Sequence, residues 1–196
     1  MRKALLFPFI PFLIVALSGC SADITGQYTV AAQPYRAFTE ENIHSSECRI
    51  EFGDEVFVSG QGAWFRNNDV TISEGGLYTI TGDFDGSISV TTAEPVKLTF
   101  ENASIVNSEG YAIDSLSEKL VISSDGSSVL AGSGGDFRTA VHSSGILLFA
   151  GSGGLELYGG VYSSGNIQFA RGVNVFCEIL RAEGGYIIPG AFSINQ

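Results

Sequence analysis

Basic residues are scarce in this sequence. Ten Lys and Arg stand against 21 Asp and Glu, for a formal charge of −11. That deficit excludes nucleic acid and anionic lipid as direct electrostatic partners, because both are held through clustered cations. It permits divalent cations without requiring them. Proline is rare (5), and long apolar helical faces are missing: Val, Ile, Leu, Phe and Tyr arrive in short runs. A helical bundle is therefore excluded. Only two histidines occur, and neither His44 nor His142 has a Ser or Asp partner evident in the sequence. What the chain does have is glycine (25) with frequent Ser and Thr, a composition suited to many short strands and tight turns. Its 196 residues suffice for one domain with a sizeable core.

The first 19 residues read as an address. Arg2 and Lys3 precede the apolar run Ala4–Leu17, which is too short to span a membrane comfortably. The run ends Leu17-Ser18-Gly19-Cys20, which resembles the lipobox of bacterial lipoprotein precursors. The resemblance implies cleavage before Cys20 and lipidation of that cysteine, so that the mature protein is anchored by lipid in the cell envelope, not spanning the membrane. An ordinary secretory signal is the alternative. Residues 20–48 are expected to form a tether and a possible N-terminal cap, with a short helical turn within 38–46, and residues 49–196 the folded domain.

One pattern is written repeatedly between Tyr111 and Ile188. It appears as Ala112-Ile113-Asp114-Ser115, Ala140-Val141-His142-Ser143-Ser144-Gly145, Gly160-Val161-Tyr162-Ser163-Ser164-Gly165 and Leu180-Arg181-Ala182-Glu183-Gly184-Gly185. Each copy is a short apolar piece, a turn rich in Ser, Gly or Glu, and a second apolar piece of strand length. A recurring unit that cannot bury its own apolar face points to a solenoid. The expected fold is all-β: a single-stranded, right-handed parallel β-helix with a short N-terminal tether.

The strands stack as three ladders. The first runs Ile50, Ile72, Leu98, Leu120, Ile146, Ile167, Tyr186; the second Val56, Ile80, Ile105, Val129, Leu155, Val173; the third Phe65, Ile88, Ile113, Val141, Val161, Leu180. Members of the third lie roughly 19 to 28 residues apart, which is coil-sized. The longest step contains the insertion Ala131-Gly132-Ser133-Gly134-Gly135-Asp136. A sandwich of antiparallel hairpins competes, but Asp85-Gly86 and Asp125-Gly126 are the only two-residue turns of the favoured Asn-Gly or Asp-Gly kind. In the stacked fold about five coils at ~4.8 Å separate Cys48 from Cys177, beyond the ~7 Å limit for a disulfide. No bridge between them is expected.

The segments Val70–Gly82, Asp85–Val90 and Val96–Ile105 are similar to the carbohydrate-binding, polysaccharide-lyase-like β-helix family of cellulolytic bacteria. They share a Thr-Ile-rich strand, a Gly-Thr-Tyr-like strand ending in Gly, and Asp-Gly before the next strand. The resemblance spans about residues 51–175. It implies extracytoplasmic binding of a plant-type or acidic polysaccharide, with calcium in the helix and no established catalysis. Where longer members of that family carry further Asp-Gly-Ile-type coils, this chain has Gly160-Val161.

Two sets of candidate site residues follow. Asp83 and Asp85 are the best-placed carboxylates for calcium, which takes six to eight oxygens; the alternative is solvated turn residues. Asp114, His142, Tyr162 and Arg181 each follow the apolar residue of the third ladder, so they form one outward column suited to sugar hydroxyls, or else an unconstrained exposed strip. Trp64 and Tyr111 are candidate stacking platforms or end caps. A calcium-dependent lyase needs a base beside the metal, and a hydrolase needs clustered acids. Lys97, Lys119, Arg138, Arg171 and Arg181 fall on different ladders, and no acidic cluster shares one. A non-catalytic carbohydrate-binding lipoprotein is the expectation, with a structural or adhesion lipoprotein as the alternative.

Overall fold

A computed structural model describes residues 24–31, 46–135, 138–170, 172–183, 185–188 and 191–193. Cys20, the signal segment 1–19, His44, Arg171 and the suggested helical turn before Ser46 lie outside the described residues. Among the described residues all regular structure is β, in eighteen strands of one continuous sheet. Most pairings are parallel and join each strand to the one a coil later, so the expected parallel β-helix is the fold. Three faces recur in each coil.

The first face contains β2 (Ser46–Phe52), the first half of β6 (Gly76–Asp85), the first half of β8 (Val96–Asn107), β10 (Lys119–Asp125), β13 (Ile146–Gly151), β15 (Ile167–Phe169) and β17 (Ile187–Ile188). The second takes the later halves of β6 and β8, then β11 (Ser127–Gly132) and the first halves of β14 (Gly154–Ser163) and β16 (Asn174–Ala182). The third is built from β5 (Asp69–Ile72), β7 (Ser87–Val90), β9 (Ile113–Ser115), β12 (Thr139–Ser143) and the later halves of β14 and β16.

Alternation fixes which side chains enter the core. In β5 and β7 every second residue is buried: Val70, Ile72, Ile88 and Val90. Stacking adds identical positions of successive coils, giving the inner ladder Val70–Ile88–Ile113–Val141–Val161–Leu180. Phe84–Ile105–Leu130–Leu157–Cys177 does the same on the second face. On the first face the inner ladder is Val96–Leu120–Leu147–Ile167–Ile187.

Comparison with the expected ladders shows where the sequence misleads. The third is correct from Ile88 onward, with Val70 at its head in place of Phe65. The other two are displaced in part. Ile72 belongs to the third face and Ile80 to the first, Leu147 replaces Ile146, Ile187 replaces Tyr186, and Leu130 replaces the outward-facing Val129.

Two corners explain the coil shape. Between the first and second faces the backbone turns through left-handed residues, Gly82 (φ 86), Asn102 (φ 51) and Gly126 (φ 90). After the third face, buried serines close the turn. Ser163 Oγ donates to the Gly145 carbonyl (2.7 Å) and accepts from the Gly165 N–H (3.2 Å), while Ser143 Oγ accepts from the Gly145 N–H (3.3 Å). These hydroxyls sit buried in the core, each with a hydrogen-bond partner.

Both ends of the solenoid are finished by antiparallel strands. At the N-terminal end β3 (Val56–Gly60) pairs antiparallel with β2, and β4 (Ala63–Arg66) with β5. The aromatic rings of Phe52 and Phe84 stack there at 4.2 Å, with Phe65 edge-on to Phe84 at 6.0 Å. Val56 and Phe65 are therefore cap residues and not rungs. At the other end β1 (Ile24–Ala31) pairs antiparallel with β16 and with β18 (Ala191–Ser193). Residues 24–31, expected to be tether, are thus a strand of the sheet. Cys48 and Cys177 are separate buried free thiols.

Candidate functional site

The outward side of the third face carries one unbroken column. Trp64 of β4 lies opposite Thr71, and the parallel register then runs Thr71, Ser89, Asp114, His142, Tyr162, Arg181. Each of these residues neighbours a core residue of the third ladder, so burial of Val70, Ile88, Ile113, Val141, Val161 and Leu180 fixes the direction of the column. Six inter-strand steps at ~4.8 Å give a strip about 29 Å long. All five residues expected to contact glycan, Trp64, Asp114, His142, Tyr162 and Arg181, are on it.

The middle of the strip is an aromatic stack. Tyr111 lies over His142 with centroids 5.0 Å apart and planes 21° from parallel, and His142 lies over Tyr162 at 5.3 Å and 23°. Asp114 is joined to His142 Nδ1 across neighbouring coils at 2.7 Å. A carboxylate oxygen accepts, so Nδ1 carries a proton; when the ring is neutral, Nε2 is then an acceptor. The partner that the sequence did not reveal for His142 is supplied by the coil next to it. Tyr111 is held from behind by the Asn107 side chain, which donates to its carbonyl (2.9 Å), and by the glycine insertion. A Cβ on Gly134 would fall 2.3 Å from the Tyr111 ring.

The upper part of the strip holds a group that sequence reasoning missed. Asp69 accepts hydrogen bonds from Thr71 Oγ1 (3.1 Å), Ser87 Oγ (2.6 Å) and Ser89 Oγ (2.9 Å). The signal was present as Asp69-Val70-Thr71 and Ser87-Ile88-Ser89, polar residues on either side of a ladder residue. It was hidden because the third ladder was started at Phe65.

Asp83 and Asp85 are not part of this strip. Both are exposed on the second face, and their cross-coil neighbours are Ser104 and Val106, not further acids. Among the described residues no group of three His, Cys, Asp or Glu converges as metal ligands do. A groove of ≈ 490 Å³ on the first face, lined by Glu47, Arg49, Thr79 and Lys97, is likewise remote from the strip. Arg49 there is engaged by Glu51 (2.6 Å) and Glu101 (3.2 Å).

Buried polar groups outside the strip are chemically quiet. Burial pushes the Cys177 thiol up to about 12 and raises the Cys48 thiol as well. The Tyr78 phenol, buried and donating to the Glu74 carbonyl at 2.7 Å, is also pushed up to about 12, chiefly by burial. Neither thiol has the thiolate character that nucleophilic chemistry requires.

The fold and its strip describe a capped parallel β-solenoid with a continuous polar and aromatic column along one face. The chain belongs to the family of carbohydrate-binding domain-containing proteins, whose family model matches residues 66–175, just over half of its length. That match covers the solenoid from the end of β4 into β16 and includes the strip from Thr71 to Tyr162. No curated protein and no solved structure matches the chain.

Proposed function

We propose that this protein is a non-catalytic polysaccharide-binding module, lipid-anchored through Cys20 in the cell envelope, at the outer membrane or cell surface. The observation that carries the reading is the register of Trp64, Thr71, Ser89, Asp114, His142, Tyr162 and Arg181 along one face. Aromatic and hydrogen-bonding side chains repeated at the coil spacing suit a polymer that presents hydroxyls at regular intervals. Family membership supports carbohydrate as the ligand. The lipobox-like Leu17–Cys20 supports the anchor.

The test is retention of residues 21–196 on insoluble cellulose and on pectate, each with calcium and with EDTA. Wild-type protein should be retained on at least one matrix, and Trp64→Ala combined with Tyr162→Ala should pass through. Passage of the wild type through both matrices in both buffers would favour a structural envelope lipoprotein. Loss of retention in EDTA alone would direct attention to a calcium site and to Asp83 and Asp85.

A further inference from the structure

The strip is polarised by two carboxylates. A hydroxyl has one proton to give. Thr71 and Ser89, both column residues, give theirs to Asp69, as does Ser87 beside them. Their oxygens therefore present lone pairs, not protons, to a ligand. Asp114 acts in the same way on His142, accepting the Nδ1 hydrogen bond, so that in the neutral ring Nε2 is an acceptor. From Thr71 to His142 the column thus offers acceptors backed by two negative charges. Arg181, at the far end, is its one cation.

The rings impose a second restriction. Tyr111, His142 and Tyr162 are stacked on one another, so the inner ring faces are already covered and their edges are what a ligand meets. Sugar rings cannot lie flat on these covered faces as they lie on an isolated tryptophan. Trp64, 49% exposed at the end of the strip, is the aromatic residue of the column with room for stacking.

We propose that the glycan read by this strip is uncharged and linear, lies along the solenoid axis, and donates its hydroxyls to a row of acceptors that Asp69 keeps aligned. This rests on the strip being the carbohydrate site. Asp69 is a positioning residue, because it acts through the hydroxyls of Thr71 and Ser89. A uronate chain meets repulsion from Asp69 and Asp114 and finds few donors. A chain long enough to reach from Trp64 to Arg181 engages every coil of the strip, and a disaccharide engages two at most.

The experiment is calorimetric titration of residues 21–196 in EDTA with neutral β-1,4-linked glucose or xylose oligomers of two to six units, and with galacturonate oligomers of the same lengths. The neutral hexamer should bind at least tenfold more tightly than the neutral dimer and at least tenfold more tightly than the acidic hexamer. Raising salt should narrow the second gap by screening the repulsion. Asp69→Asn should lower the neutral affinity about tenfold and reduce the neutral-to-acidic ratio, and Thr71→Val should reproduce the first effect even if the Asp69 variant folds poorly. Acidic oligomers that bind as well as neutral ones in EDTA, or a dimer that binds as well as a hexamer, would overturn the inference while leaving the strip a glycan site. Absence of binding by every oligomer would remove the carbohydrate reading itself.

Discussion

His142 Nδ1 and the Asp114 carboxylate stand 2.7 Å apart although 28 residues separate them in the chain. The contact exists because β9 and β12 are neighbours in consecutive coils, which puts the two side chains opposite each other. It fixes the ring that sits between Tyr111 and Tyr162. Replacing Asp114 with Ala should free that ring and lower glycan affinity about tenfold, or ~1.4 kcal/mol. Nitrogen NMR of His142 gives an independent reading: Nδ1–H in the wild type, and a mixture of tautomers in the variant. An unchanged tautomer would show that Asp114 does not hold the ring.

Trp64 is the only tryptophan in the chain, so its fluorescence reports one place on the surface. It is 49% exposed and lies opposite Thr71 in the strip. Binding of a glycan that reaches the end of the column should shift its emission to the blue and shield it from iodide. Titration with a binding polymer that leaves the emission unmoved would place the ligand elsewhere.

The glycine column at the serine corner should tolerate nothing larger. A Cβ on Gly145 would sit 2.3 Å from the carbonyl oxygens of both Ser117 and Glu118, whereas one on Gly154 meets nothing within 4 Å. Gly145→Ala should cost about 1–3 kcal/mol, as overpacking does, and depress the melting temperature by several degrees. Gly154→Ala should leave it nearly unchanged. Equal melting temperatures for the two variants would contradict the close stacking of coils at this corner.

Alkali should unfold the protein before it titrates the core. Cys177 and Tyr78 are held to about 12 in the fold, against ordinary values of 9.0 and 10.0 in an exposed chain. The unfolded chain therefore loses these protons first. Their contribution to stability is complete below pH 9 and declines as pH rises from about 9 toward 12. Urea midpoints at pH 8, 10 and 11.5 should fall in that order, while Cys177 stays unreactive toward a thiol reagent until unfolding. A flat midpoint across this range would refute the assignment.

How much of this was legible in the sequence differs from face to face. The third ladder could be read because its strands from Ile113 onward follow one rule: apolar, outward, then small and buried, as in Val141-His142-Ser143 and Val161-Tyr162-Ser163. The site residues came with it. On the first face the run Ile146-Leu147-Leu148-Phe149 has no alternation, and Leu147, Leu148 and Phe149 are all buried, so the register slipped by one. β6 passes from the first face to the second without a break, bending at Gly82, which hid the true place of Ile80.

The cap was misread for a different reason. Alternation marks the buried face of a strand but carries no direction, so β3 and β4 looked like rungs. The turn that reverses the chain is Asn67-Asn68, both with positive φ (51 and 57), between paired Arg66 and Asp69. Asparagine tolerates that conformation as glycine does, and a search for Asn-Gly and Asp-Gly alone passes over it.

The antiparallel strands at the two ends have a consequence for the protein among its own copies. A parallel coil is a template: its open edge is ready to accept another coil of the same direction, and copies could add to one another without limit. Here β3 covers β2 and β4 covers β5 at one end, and β1 covers β16 at the other, each running in the wrong direction for a further coil to join those strands in register. On the third face both ends are therefore closed, and with them the column gains a ruler: it begins at Trp64 and ends at Arg181.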